Sequence, residues 1–299
     1  SMTNGVKQGG VLSPVLFTLY YDVLLAQLRQ LGVGCRIGTR YAGAFAYADD
    51  VVLLSPSVAA LNQMLNICSD YATEYKLSFN ASKSRIVVIP CGHRRNRISI
   101  TFAGEAVEQV DSEKHLGILY GGNVQTDTVR QMCNEMMSKT NMLKCHFNQL
   151  PMTPLYNLFK TYSMPLYGSQ VLDLCQDSVR SISVTWRKCL RHLFDLPRRT
   201  HCNLIPSIFN DRTIEDQISI RICRFLGQIL NSSNGIVNHC AKLALIGSES
   251  NVSKSLAHIS YKTGISRFNY KAILNKLLSF SDPPDDIKQR AGFIRDILA

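Results

Sequence analysis

Several things are scarce in this 299-residue sequence, and each scarcity closes off a class of protein. No apolar run approaches the ~20 residues that a membrane-crossing helix needs. No Cys-x-x-Cys occurs among Cys35, Cys68, Cys91, Cys133, Cys145, Cys175, Cys189, Cys202, Cys223 and Cys240, which are scattered along the chain. A chain this long builds a core without covalent staples, so a reducing intracellular compartment, nucleus or cytoplasm, is expected. No signal peptide precedes the glycosylation sequons at Asn80, Asn231 and Asn251, which carry no meaning inside a cell. Tryptophan occurs once, at Trp186, and there is neither an internal repeat nor a low-complexity tract. Acidic side chains are in deficit, 22 against 33 Lys and Arg, for a net charge of +11. That excess favours a polyanionic partner such as nucleic acid, because Lys and Arg displace condensed counterions from phosphate backbones; the plainer alternative is a basic surface with no specific partner. The 45% hydrophobic content excludes global disorder.

What is present is a change of pattern along the chain. Ser13 and Pro14 open an amphipathic helix whose apolar residues Val15, Leu16, Leu19, Tyr20, Val23, Leu24, Leu28 and Leu31 recur at helical spacing, and Gly32 suits its end. The apolar runs 44–47 and 51–54, parted by Ala48-Asp49-Asp50, predict a β-hairpin with two acids at its tip. Ser57 caps a second helix, residues 86–89 read as a strand, residues 98–102 and 106–110 as a hairpin, and residues 116–120 as a last strand. After Gly122 the periodicity is helical, over 124–147, 155–167, 178–194, 214–230, 237–245 and 270–280, with a polar loop at 247–255. The fold expected is α+β, with boundaries giving domains at 1–121, 122–177 and 178–299.

Two adjacent carboxylates at the tip of a buried hairpin repel unless a cation or a proton intervenes. Hard divalent ions take oxygen ligands, and few protein carboxylates suffice when phosphates supply the rest. An ordinary polar turn is the rival explanation, since Asp is a common turn residue. The surroundings decide between them. Phe45-Ala46-Tyr47-Ala48-Asp49-Asp50 resembles the Tyr-x-Asp-Asp motif of reverse transcriptases. Upstream, the run from Gly5 to Pro14, with Gln8-Gly9 inside it, resembles the Gly-x-x-Gln-Gly-x-x-x-Ser-Pro motif of the same family. Asn80-Ala81-Ser82-Lys83 resembles the Asn/Lys motif that follows the acidic hairpin, and Lys114-His115-Leu116-Gly117 the primer grip. The segments around Phe159–Gly168 and Trp186–His201 look like the thumb and the region beyond it in LINE-type (non-LTR, chicken-repeat-like) elements.

That resemblance implies a partial palm, an antiparallel sheet with helices, followed by an all-helical thumb and a basic helical C-terminal region. It implies RNA-directed DNA polymerase chemistry by a two-metal mechanism with Mg²⁺ or Mn²⁺, an RNA template, a DNA primer and deoxynucleoside triphosphates. Asp49 and Asp50 would ligate the metals, with Asp49 the more important. Gln8, Gly9 and Tyr47 would border template, nucleotide and primer end, Lys83 would lie near the triphosphate, and Leu116 and Gly117 would place the primer. The family uses a third carboxylate and nucleotide-gripping fingers upstream of the Gln-Gly motif, where this chain has only a few residues. Ser1 before Met2 reads as a fragment or a cloning residue on a truncated frame, so the chain is expected to be inactive alone and to need a missing N-terminal half. The alternative is a non-enzymatic remnant that binds RNA or primer-template duplex.

Arg187, Lys188, Arg191, Arg198 and Arg199, flanked by Trp186 and His201, form a basic and aromatic cluster suited to nucleic acid, against the alternative of a solvated helix face. Arg94-Arg95-Asn96-Arg97 reads as an exposed loop. Cys189, His192, His201 and Cys202 lack a standard zinc spacing, and a buried free cysteine is the commoner reason for Cys189.

Overall fold

The computed structural model describes residues 10–89, 97–122, 124–164, 166–279 and 283–298. The chain divides into two compact units, Ser1–Glu113 with Tyr120–Gly122, and Lys114–Leu119 with Asn123–Ala299. It is a mixed α and β protein, with short strands confined to its first 121 residues.

The first unit opens with helix α1 (Ser13–Leu31), started by Pro14 and ended at Gly32, whose φ of 76° closes the turn through an N–H donated to the Arg29 carbonyl. Strands β1 (Arg36–Ile37) and β2 (Arg40–Tyr41) pair briefly, and β3 (Ala44–Tyr47) with β4 (Asp50–Leu53) form the expected hairpin. Helix α2 (Val58–Tyr75) follows, its first turn capped by the Ser57 side chain, which accepts from the Ala60 N–H. Strands β5 (Arg85–Val87), β6 (Thr101–Phe102), β7 (Glu105–Ala106), β8 (Glu108–Val110), β9 (Ser112–His115) and β10 (Ile118–Gly121) complete the set. Alternation in β3 turns Ala44 and Ala46 inward; with Val51 and Leu53 they pack on Tyr21, Leu24 and Leu28 of α1 and Met64, Cys68 and Tyr71 of α2. Burial is deep enough to push the Cys68 thiol and the Tyr71 phenol each up to about 12.

Three expectations change here. The strands among the described residues pair two by two, and β5 with β8 runs parallel where an antiparallel sheet was expected. The hairpin over 98–102 and 106–110 shrinks to β6 and β7, because Glu108–Val110 pairs with Arg85–Val87 instead, reinforced by the Arg85–Glu108 ion pair at 3.4 Å. Helix α1 buries only Tyr21, Leu24 and Leu28; Val15, Leu16, Leu19, Tyr20 and Val23, expected in its core face, are exposed. The helix is apolar on two sides, and periodicity alone did not separate the buried Leu24 and Leu28 from the exposed side.

The second unit is helical: α3 (Val124–Phe147), α4 (Met152–Leu158), which runs on as one wide turn to Ser163, α5 (Asp177–Leu193), α6 (Leu204–Ile208), α7 (Ile214–Leu230), α8 (Gly235–Ile246), α9 (Asn251–Thr263), α10 (Tyr270–Leu278) and α11 (Asp285–Leu298). One apolar cluster joins α3 to α11 through Met136, Phe159, Trp186, Ile218, Leu256 and Ala291. The helix expected to reach Tyr167 ends at Ser163, and Gly168 turns the chain with φ 80°. The polar loop expected over 247–255 becomes helix from Asn251: Ser250 caps it, and Ser255 is buried, donating to the Leu172 carbonyl at 2.7 Å and accepting from the Leu174 N–H at 2.9 Å. Ser255 serves tertiary hydrogen bonds, which composition does not reveal.

Candidate functional site

The acidic hairpin has a two-residue turn. Tyr47 pairs with Asp50, leaving Ala48 and Asp49 at the tip. Ala48 takes a left-handed φ of 51°, a conformation that costs an L-residue about 1–2 kcal/mol. Tyr47, Asp49 and Asp50 are all exposed, while the opposite face of the hairpin is packed. Tyr21 of α1 lies within their field: its phenol is held above the usual tyrosine value, first by burial and then by the charge of Asp49, with Asp50 adding to it. Phe17 stacks on Tyr21 at 4.8 Å and fixes that ring. Sequence reasoning did not single out Tyr21, because nothing in spacing alone separates it from the other apolar residues of α1.

Lys83 ends a tight turn, Ala81–Lys83, set by Asn80. The Asn80 side-chain oxygen accepts from the Lys83 N–H at 3.1 Å and from the Ser82 hydroxyl at 2.7 Å. Asn at this spacing is thus a cap, and it presents the exposed Lys83 at a defined point. Gln8, Gly9, Arg94, Arg95 and Asn96 lie outside the described residues.

In the second unit, Leu116 and Gly117 form the two-residue turn between β9 and β10, with φ of 50° and 79°. Left-handed values at both positions match the twist of a tight hairpin. Tyr167 braces it: its hydroxyl donates to the Leu116 carbonyl at 2.7 Å, and its ring fills the space above Gly117, where a Cβ would meet Cε1 at 2.8 Å. Sequence reading had placed Tyr167 at a helix end and assigned it no such contact.

The basic cluster on and after α5 separates into parts. Lys188, Arg198 and Arg199 are exposed, and Arg187 is half-buried. Arg191 is a structural brace, donating to the Thr200 carbonyl at 2.8 Å across the turn that follows α5. Trp186, expected beside the cluster as an aromatic surface, is 1% exposed and belongs to the core. Cys189 is buried and its thiol is raised by burial, whereas Cys202 is exposed and contacts Arg191. Among the described residues, no three His, Cys, Asp or Glu side chains cluster to hold a metal ion. Among the same residues, no helix is long and apolar enough to cross a membrane.

Residues 1–120, which hold the acidic hairpin, Lys83 and the Leu116–Gly117 turn, match the family described as reverse transcriptase (RNA-dependent DNA polymerase). Relatives extend the likeness into the helical unit. The chain is 29% identical over 210 residues to the Retrovirus-related Pol polyprotein from type-2 retrotransposable element R2DM of Drosophila melanogaster, covering 64% of this chain and 19% of that protein. It is 25% identical over 243 residues to the Probable RNA-directed DNA polymerase from transposon BS of Drosophila melanogaster, covering 75% of this chain and 26% of that protein. It is 23% identical over 223 residues to the RNA-directed DNA polymerase from mobile element jockey of Drosophila funebris, covering 68% of this chain and 24% of that protein. These reverse transcriptases of non-LTR elements bear out the resemblance read from the motifs. The chain spans between 19% and 26% of the length of these three relatives.

Proposed function

We propose that this chain is part of an RNA-directed DNA polymerase in which Asp49 and Asp50 hold the catalytic divalent ions, Mg²⁺ or Mn²⁺. One observation carries the reading: both acids stand exposed at the tip of a hairpin whose other face is buried, inside a segment of the reverse transcriptase family. Adjacent exposed carboxylates whose charge already reaches the Tyr21 phenol fit a hard cation that takes its remaining ligands from water and phosphate. Held by Asp49 and Asp50, such ions would supply charge neutralisation for transfer of the nucleotidyl group of a deoxynucleoside triphosphate to a primer 3′-hydroxyl, with pyrophosphate leaving.

The chain's own side chains take the remaining roles. Tyr47, next to the acids and exposed, borders the primer end. Lys83, set by the Asn80 cap, offers its ammonium to the triphosphate. Gln8 and Gly9 border the nucleotide and the template, and the Leu116–Gly117 turn, held by Tyr167, places the primer strand. Residues 1–121 form the palm remainder, 122–177 the thumb and 178–299 the basic helical region, with RNA template and DNA primer as partners.

By itself the 299-residue polypeptide extends no primer, because the family's site uses a third carboxylate and none joins Asp49 and Asp50 among the described residues. The same observation favours a second reading, a module that binds RNA or primer-template without extending it. Metal-dependent extension of a primed RNA template separates them, run on this chain and on a longer polypeptide supplying the upstream segment. Extension only by the longer form, abolished by Asp49→Ala, is the expected result. No extension by either form, with salt-sensitive RNA binding by both, selects the binding module. Asp49-dependent extension by the chain alone overturns the claim that it is incomplete.

A further inference from the structure

One concavity of the helical unit is lined by none of the α5 cluster residues. It is a groove of about 590 Å³ between the turn after α4, the segment around Tyr167 to Gln170, and the outer face of α7. Helix α7 lies outside the residues matched by the family, and sequence reading gave it only as one helix of the basic C-terminal region.

On that face Gln217, Arg221, Arg224 and Gln228 follow one another at steps of four, three and four residues, so they form one stripe along the helix. The buried stripe of the same helix, Ile214, Ile218, Ile222 and Leu226, faces the core, which fixes the polar stripe outward. Arg221 and Arg224 are exposed and pair with no acid among the described residues. Lys160 stands on the opposite wall. It pairs with Asp211 at 3.3 Å and sits over the Tyr156 ring at 4.9 Å. Asp211, the one acid lining the groove among the described residues, is occupied: besides Lys160 it accepts from the Tyr156 hydroxyl at 3.0 Å and from the Arg212 N–H at 2.7 Å. Among the described residues, Lys160, Arg212, Arg221 and Arg224 therefore face a single, already paired carboxylate. Tyr167, 63% exposed, supplies an aromatic face at the lip.

We propose that this groove is a nucleic-acid site of the helical unit, in which Arg221 and Arg224 contact successive phosphodiesters, Gln217 and Gln228 hydrogen-bond sugar or base edges, and Tyr167 offers a stacking face. Two unpaired guanidiniums about one turn apart in an open channel suit a charged polymer better than a small ligand, which needs an enclosed, mainly apolar pocket. The polymer is a single-stranded RNA or an RNA–DNA hybrid; both present the same phosphodiester. The α5 cluster is the lesser contact, since Arg191 is spent on its own turn and Trp186 is buried. The proposal rests on the nucleic-acid reading given above, and it is independent of catalysis.

The test is fluorescence anisotropy of labelled single-stranded RNA and of an RNA–DNA hybrid on the full chain, over a salt series, without deoxynucleotides or divalent metal. Absence of extension in a polymerase assay therefore does not enter this readout. Arg221→Gln/Arg224→Gln is expected to lower the slope of log K against log salt by about 2 and to weaken binding tenfold or more, by roughly the loss of two phosphate contacts. Arg221→Lys/Arg224→Lys is expected to keep the slope, and circular dichroism to show both variants as helical as the parent. Loss with the hybrid alone assigns the groove to duplex, and loss with both ligands assigns it to the single strand as well. An unchanged slope in the α7 variant, binding lost only by Lys188→Gln/Arg198→Gln, or no binding by the parent chain overturns the proposal.

Discussion

The two units of this molecule hold themselves together differently. The helical unit closes one apolar cluster around Trp186 from α3 to α11, so each helix is gripped from several sides. The unit bearing the acidic hairpin has strands of two to four residues, paired two by two, over a smaller core of Tyr21, Leu24, Leu28, Met64, Cys68, Tyr71, Ala81 and Phe102. It also leaves Val15, Leu16, Leu19, Tyr20 and Val23 of α1 in water, an apolar stripe of the kind that marks an interaction surface or promotes association. The acidic hairpin thus rides on the unit with the smaller core, and the larger apolar cluster belongs to the unit with the α7 groove.

The largest effect that sharpens this contrast is Trp186→Ala. Trp186 is 1% exposed at the centre of the helical core, and emptying such a site costs about 3–5 kcal/mol. Urea denaturation followed by far-ultraviolet circular dichroism should show the main helical transition moved to much lower urea. Met64→Ala, in the smaller core, should leave that transition in place and remove a minor, earlier one. A single transition shifted equally by both variants would break the comparison.

The sequence spoke clearly where local chemistry and function coincide. The Tyr47–Asp50 tip, the Ser57 cap, Gly32 and the bounds of α3 and α7 were all legible, because turn residues, caps and strong 3.6-residue periodicity act over a few positions. It was silent or misleading where partners are distant. Which side of α1 is buried depends on α2 and the hairpin, the pairing of β8 depends on β5, and the burial of Ser255 in α9 depends on a segment some 80 residues earlier. Of the site, the acids and Lys83 stood out through their motifs, whereas Tyr21, Tyr167 and the α7 stripe became visible only once side chains had neighbours.

A second, smaller effect tests how the helical unit holds the Leu116–Gly117 turn. Gly117→Ala puts a Cβ at φ 79°, costing about 1–2 kcal/mol, and drives it into the Tyr167 ring. Tyr167→Phe removes only the hydrogen bond to Leu116, worth about 1 kcal/mol. Amide hydrogen exchange in β10 should accelerate in both variants, more in the first. Unchanged exchange in Tyr167→Phe would show that the turn stands without its brace.

Alkali probes both units through buried groups: Tyr71, beside Tyr21 and Cys68, in the first, and Tyr156 in the second. Burial is the main cause that raises Tyr71, to about 12, and it also raises Tyr156, where Asp211 adds to the effect. Below the ordinary tyrosine value of 10.0, folded and unfolded chains both keep these protons. Above it the unfolded chain releases a proton that the folded chain retains, so stability falls as pH rises, for Tyr71 between 10 and about 12. The slope is on the order of 1 kcal/mol per pH unit for each group. Tyr71→Phe should flatten the alkaline loss of the hairpin unit and Tyr156→Phe that of the helical unit. A loss that neither variant changes would place the titrating groups elsewhere.

The smallest effect concerns the tip itself. Ala48 has no polar side chain to offset its left-handed φ of 51°, so the strain there is set by the turn that joins Tyr47 to Asp50. Ala48→Gly removes the Cβ that causes it and should stabilise the hairpin unit by up to about 1 kcal/mol, read as a later minor urea transition. Glycine also frees the backbone that carries Asp49. In a longer polypeptide that extends primers, the same variant should therefore extend more slowly while being more stable. Greater stability with undiminished extension would mean that the hairpin's packed face, Ala44, Ala46, Val51 and Leu53, is enough to position the acids and that the strained alanine contributes nothing to them.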